Sequence, residues 1–189
     1  MVIHSLSGLL VGAFGARLLR SLPRGASVHW AWCALPTAGL WALSAAAGVP
    51  PRWLPVSLLV AWLGVLLSVV DFRHRRLPDA LTLPACPLVG GVLAVCGADL
   101  ARALGGCLAY FGLHLVVHRL SPASLGGGDV KLSGALGAVL GSVSWVALPV
   151  GAVLASAITL LVALWRPRDG PPHGPGLVGS TWLVSLAGG

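Results

Sequence analysis

Long apolar runs, separated by short polar stretches, repeat along almost the whole chain. They cover residues 2–22, 29–49, 53–72, 80–98, 100–118, 130–148 and 149–165, and a shorter segment follows at 176–187. A helix needs about 20 residues to cross about 30 Å of hydrocarbon. The 36 residues from Val130 to Trp165 therefore suffice for two short helices, with a turn near Gly141-Ser142 or Pro149-Val150-Gly151. The pattern predicts an all-α fold, a polytopic membrane helix bundle of seven or eight spans, in a single membrane domain over residues 1–189. The last segment is open between a full span, a re-entrant piece and an interfacial piece. Gly and Pro punctuate residues 166–175 throughout, which marks a true loop.

Composition narrows the class further. Of 189 residues, 57% are hydrophobic and only 9% charged, with a mean hydropathy of +0.91. Soluble domains carry about 25% charged residues. A water-soluble globule, a disordered tail and a secreted disulfide scaffold are excluded. Cys33, Cys86, Cys96 and Cys107 stand singly in apolar stretches with no C-x-x-C pair, so they read as free buried thiols and not as a zinc site. Glycines recur at close spacing within the runs, at Gly8, Gly12 and Gly15, at Gly90 and Gly91, at Gly105 and Gly106, and at Gly134, Gly137 and Gly141. Such spacing lets helix backbones approach closely and reads as packing.

The net charge of +7 comes from eleven Arg and the single Lys131. These residues lie between apolar runs, so they report topology and do not imply a nucleic-acid partner. The first run has no Lys or Arg ahead of it, and Arg17, Arg20 and Arg24 behind it. That is the reverse of a cleavable signal peptide, and it predicts a retained span with its N-terminus outside. One set of loops then holds Arg17, Arg20, Arg24, Arg73, Arg75, Arg76, Arg119, Lys131, Arg166 and Arg168, whereas the other holds Arg52 and Arg102. Ten against two makes the first set cytoplasmic.

Acids are expensive in such a chain. There are five, all Asp: Asp71, Asp79, Asp99, Asp129 and Asp169. Asp99 has Arg102 at i, i+3, and the pair neutralises itself at the interface. Asp71 ends the third run, where the negative end of the helix dipole makes a carboxylate unfavourable. The bland account is a pairing with Arg73, Arg75 or Arg76. Asp129 follows Gly126-Gly127-Gly128 and precedes an apolar helix. Capping would explain an acid there, but it does not require three glycines, which permit close approach of another backbone. Both acids stand at cytoplasmic ends of spans, with two spans between them. Two carboxyls sharing a site keep one proton between them. The ionised one can take a proton from water while the other polarises a peptide carbonyl, which is aspartic protease chemistry and requires neither metal nor cofactor.

Asp71-Phe72-Arg73-His74-Arg75-Arg76-Leu77-Pro78-Asp79, with Ala80-Leu81-Thr82-Leu83-Pro84 after it, resembles the first signature of the type IV prepilin peptidase family. Gly126-Gly127-Gly128-Asp129-Val130-Lys131-Leu132 resembles its second, the G-x-G-D motif. Pro172-His173-Gly174-Pro175 is similar to a late P-F-G-P element, with His173 in place of the aromatic. The similarity covers about Ser57 to Val184 (57–184 as the peptidase core). It implies a membrane aspartic endopeptidase of the inner or plasma membrane that cuts the basic leader of prepilins or pilin-like precursors at the cytoplasmic face. By position, Asp71 and Asp129 would be catalytic, and Gly126, Gly128, Pro78, Asp79 and Lys131 would shape the site. Asp79 has three open roles: capping the next helix, pairing with an arginine, or contacting the leader. Longer members carry a cysteine-rich zinc region after the first span and also methylate the new N-terminus. Here only residues 22–28 join the first two runs, which implies a short, peptidase-only form. The implied partners are the precursor and membrane lipid. A small transporter or channel binding cations or protons at Asp71 and Asp129 is the alternative, but acids gathered at one face suit a peptidase better. No sequence feature speaks for a non-catalytic assembly protein.

Overall fold

A computed structural model describes residues 1–22, 25–74, 77–122, 125–165 and 173–188. Arg24, Arg75, Arg76, Arg166, Arg168 and Asp169, which enter the charge count, lie outside the described residues, as does Pro172 of the late element. Eight helices and no strand are found among the described residues: α1 (Val2–Ser21), α2 (Ala31–Ala46), α3 (Leu54–His74), α4 (Asp79–Val95), α5 (Leu100–Leu120), α6 (Gly127–Val143), α7 (Ala147–Trp165) and α8 (Gly174–Ser185). Each falls on one of the apolar runs. The break between α6 and α7 comes just after Gly141-Ser142, not at Pro149. Ser144 Oγ accepts the Ala147 N–H at 3.0 Å and starts α7. Pro149 then sits in the first turn of α7, where its missing N–H costs nothing.

Four helices, α1, α3, α5 and α7, are long and apolar enough to cross a membrane, while α2 and α4 are apolar but shorter. At 12 residues, α8 covers only about 18 Å. The bundle has an inside of its own. From Val130 to Gly141 every described residue of α6 is buried except Lys131, and ten residues of α3 are buried. By contrast α1, α5 and α7 turn leucines such as Leu10, Leu104 and Leu161 outward. The two aspartates thus ride on α3 and α6, the helices with the most buried residues. Both α4 and α8 pack against α3 and against α6.

Close approach of backbones holds two of the pairs. A Cβ added to Gly8 or Gly12 would lie 2.7 or 2.6 Å from the Cα of Ala38 or Ala34 on α2. One added to Gly106 would lie 2.7 Å from Gly141 Cα on α6. Gly106→Leu is therefore expected to force α5 off α6 and to cost about 1–3 kcal/mol or more, read as a lower temperature of aggregation in detergent. The packing reading fails at Gly90 and Gly91, where an added Cβ would meet nothing within 4 Å. Indole donors tie further helices together. Trp41 Nε1–H donates to Leu58 O, Trp53 Nε1–H to Ser185 O, Trp62 Nε1–H to Val11 O and Trp182 Nε1–H to Ser44 Oγ. The cysteines are free, but only Cys33 is buried and Cys86 is exposed, because α4 turns that side outward. Asp99 behaves as expected: it caps α5 by accepting the Arg102 N–H at 3.1 Å, and it pairs with the Arg102 side chain at 3.8 Å.

Candidate active site

Asp71 occupies the last turn of α3 and is only 6% exposed. Its Oδ2 accepts the backbone N–H of Gly174 at 3.0 Å. Gly174 is the first residue of α8. The positive end of α8 is thus set against a carboxyl at the negative end of α3, which offsets the unfavourable dipole there. The described partner of Asp71 is a backbone amide and not Arg73, and Arg75 and Arg76 lie outside the described residues. A side chain at 174 could not fit in this arrangement, since a Cβ would stand 2.8 Å from Asp71 Oδ2. His173 precedes it, close enough for its charge to act on Asp71.

Asp129 lies in the first turn of α6 and is 8% exposed. The N-cap is Gly126, in extended backbone, and no side chain caps the helix. Asp129 Oδ1 is buried with no hydrogen-bond partner among the described residues. Buried polar atoms without partners are uncommon, and each one in a native protein calls for a reason. The charge of Asp71 reaches Asp129. The two carboxyls therefore belong to one electrostatic site, although 58 residues separate them in sequence.

Two further contacts join the segments that carry them. A Cβ on Gly128 would come within 2.8 Å of Leu77 Cβ and 3.3 Å of its carbonyl oxygen, whereas one on Gly127 would meet nothing within 4 Å. A Cβ on Gly126 would lie 3.2 Å from Asp129 Oδ2. Of the three glycines, the first and third are hemmed in and the middle one is free. Lys131 Nζ meets Asp79 Oδ1 at 2.6 Å. Among the described residues the partner of Asp79 is thus a lysine, with Arg75 and Arg76 lying outside them, and α4 has no side-chain cap, its N-cap being the buried Pro78.

Some neighbours of the site were not legible in the sequence. The Gly174 amide is one. Behind the start of α8, a cavity of about 310 Å³ is lined by Tyr110, His114, Thr159 and His173 among others. Within it, His114 Nδ1 bonds Tyr110 O at 2.8 Å. The only signal for this region was the late P-H-G-P element, which contains both His173 and Gly174.

A sequence model of the type IV leader peptidase family matches residues 58–164, more than half of the chain. The chain belongs to the type IV leader peptidase family. The match takes in Asp71, Asp79 and the Gly126–Lys131 segment, but it ends before His173 and Gly174. Among relatives of this chain, a prepilin leader peptidase/N-methyltransferase of Aeromonas hydrophila is 32% identical over 164 residues, 79% of this chain and 55% of that protein. A protein of the same description from Dickeya chrysanthemi is 40% identical over 120 residues, 58% of this chain and 40% of that one. The leader peptidase HopD of Escherichia coli is 34% identical over 151 residues, 69% of this chain and 92% of that protein. The chain thus spans about half the length of the Aeromonas relative but nearly all of HopD. No solved structure matches it significantly.

Proposed function

We propose that this chain is a membrane aspartic endopeptidase that removes the basic leader of type IV prepilins or pilin-like precursors, with Asp71 and Asp129 as the catalytic pair. The observation that carries this reading is two buried carboxyls near enough to feel one another's charge, one of them with an oxygen that has no partner among the described residues. In the resting site the pair holds one proton. The ionised carboxyl takes a proton from water as the water oxygen attacks the scissile carbonyl carbon. The protonated carboxyl hydrogen-bonds to the carbonyl oxygen as it gains charge. Collapse of the tetrahedral adduct breaks the C–N bond and returns a proton to the departing amine, leaving a free carboxyl on the leader and a free amine on the mature part. Asp71 is held by the Gly174 amide, and Asp129 Oδ1, buried and without a described partner, keeps its bonding capacity for water or substrate. Gly126, Gly128 and Pro78 keep the two segments close around the pair, and Asp79 and Lys131 shape its solvent-exposed side.

The excess of basic residues on one set of loops supports a cytoplasmic site and an outside N-terminus. The short connection between α1 and α2 supports a peptidase without methyltransferase activity. Family membership and the burial of both carboxyls favour a peptidase over the transporter reading. Co-expression with a pilin-like precursor tests the proposal, with cleavage read as a gel shift. A chelator such as EDTA is expected to leave cleavage unchanged, because carboxyl groups carry both proton transfers. Loss of cleavage on chelation, restored by added metal, would contradict the mechanism.

A further inference from the structure

Among the described ion pairs, Asp79–Lys131 joins two helices at 2.6 Å, whereas Asp99–Arg102 closes within one turn at 3.8 Å. Both side chains are partly open to solvent, 57% exposed for Asp79 and 42% for Lys131. Among the described acids, Asp71 and Asp129 are buried, and Asp99 stands beyond the far end of α4. Asp79 is therefore, among the described residues, the exposed carboxylate at the end of the bundle that holds the carboxyl pair. Its occupant is the single lysine of a chain that otherwise uses Arg, eleven times. A guanidinium grips a carboxylate with a rigid, two-pronged fork. An ammonium is a compact, strongly hydrated point charge on a flexible stem, and it makes the more exchangeable contact. The Lys131 ammonium sits where another cation could sit, and Leu77 beside Gly128 keeps that place adjoining the catalytic segment.

We propose that Asp79 is the docking carboxylate for a cationic side chain of the precursor's leader, and that Lys131 is its displaceable resident. The inference rests on the peptidase reading above. When the precursor arrives, its ammonium or guanidinium takes the Asp79 oxygen and the Lys131 ammonium swings into solvent. The leader is then anchored beside Asp71 and Asp129 with its scissile bond at the pair. Binding is thus a competition between an internal and an incoming cation for one carboxylate.

The competition makes the two residues act in opposite directions, which a purely structural clasp would not do. In cleavage assays on the full chain in membranes, Asp79→Asn is expected to raise KM for a basic-leader precursor by about two- to five-fold, the span of an exposed ion pair. Lys131→Met, which removes the competitor, is expected to lower KM by a similar factor. Lys131→Arg is expected to raise KM, since a forked resident is harder to displace. With a precursor whose leader Lys and Arg are replaced by Ala, the three variants should share one KM. The proposal is overturned if Asp79→Asn and Lys131→Met shift KM in the same direction, or if their differences persist with the neutral leader. Asp71→Asn, run alongside, separates the two readings. Cleavage by that variant would sink the carboxyl pair whatever the KM values show, whereas a dead Asp71→Asn with same-sign KM shifts would sink only the docking role.

Discussion

Asp71→Asn and Asp129→Asn are each expected to lower leader cleavage by at least about a hundredfold, the low end of what a positioned acid or base contributes. Asparagine is the informative replacement because it spares the structural bonds. At 71 its amide oxygen can still accept the Gly174 N–H, the one hydrogen bond described for the Asp71 side chain. At 129 the affected Oδ1 has no partner among the described residues, so no described bond is lost there. Both proteins should therefore reach wild-type levels in the membrane, which an immunoblot of the membrane fraction checks. Neither can exchange a proton with water or carry the shared proton. The double variant should be no worse than either single one, because groups that act as a unit do not lose activity additively. Asp71→Ala makes a useful contrast, since it also leaves the buried Gly174 amide without an acceptor and should reduce the amount of folded protein. Undiminished cleavage by either asparagine variant would remove the pair from the mechanism.

The helices were legible because a membrane span leaves little freedom. Each apolar run became a helix, and a serine able to cap α7 decided the break after α6, although Pro149 looked an equal candidate. Which face of a helix meets another was less legible. Gly8, Gly12 and Gly106 do sit at crossings, but Gly90 and Gly91 face open space, since spacing alone does not say which stripe a bundle will use. The segments that carry the proposed pair stood out because acids are scarce and three glycines precede one of them. Their partners did not stand out. The donor to Asp71 is a backbone amide 103 residues away, and every non-proline residue carries such an amide. Asp79 offered a choice of cations in which arginines far outnumbered the lysine. Only the fold brings Lys131 to it, through the packing of α4 on α6.

The Gly174 amide leads to the second large effect. Gly174→Ala is expected to lower cleavage by about tenfold to a hundredfold, since displacing a reacting group by about 1 Å can cost that much. The new methyl would stand 2.8 Å from Asp71 Oδ2, too close for both to remain in place. The backbone of α8 is held by its buried face, where Leu177, Val178 and Trp182 pack into the core and Trp53 binds its far end. The carboxyl therefore gives way first, and it moves off the position that the Gly174 amide fixes. Gly127→Ala is the matched control, the same change at a glycine where a Cβ meets nothing within 4 Å, and it should cleave like wild type. Gly128→Ala should fall between them, because its Cβ strikes Leu77, which can yield only by shifting the start of α4. The order 127, 128, 174 follows from where each methyl would point, not from general damage to a glycine-rich membrane protein. If all three variants lost activity equally, the close fit of α8 against Asp71 would have no part in catalysis.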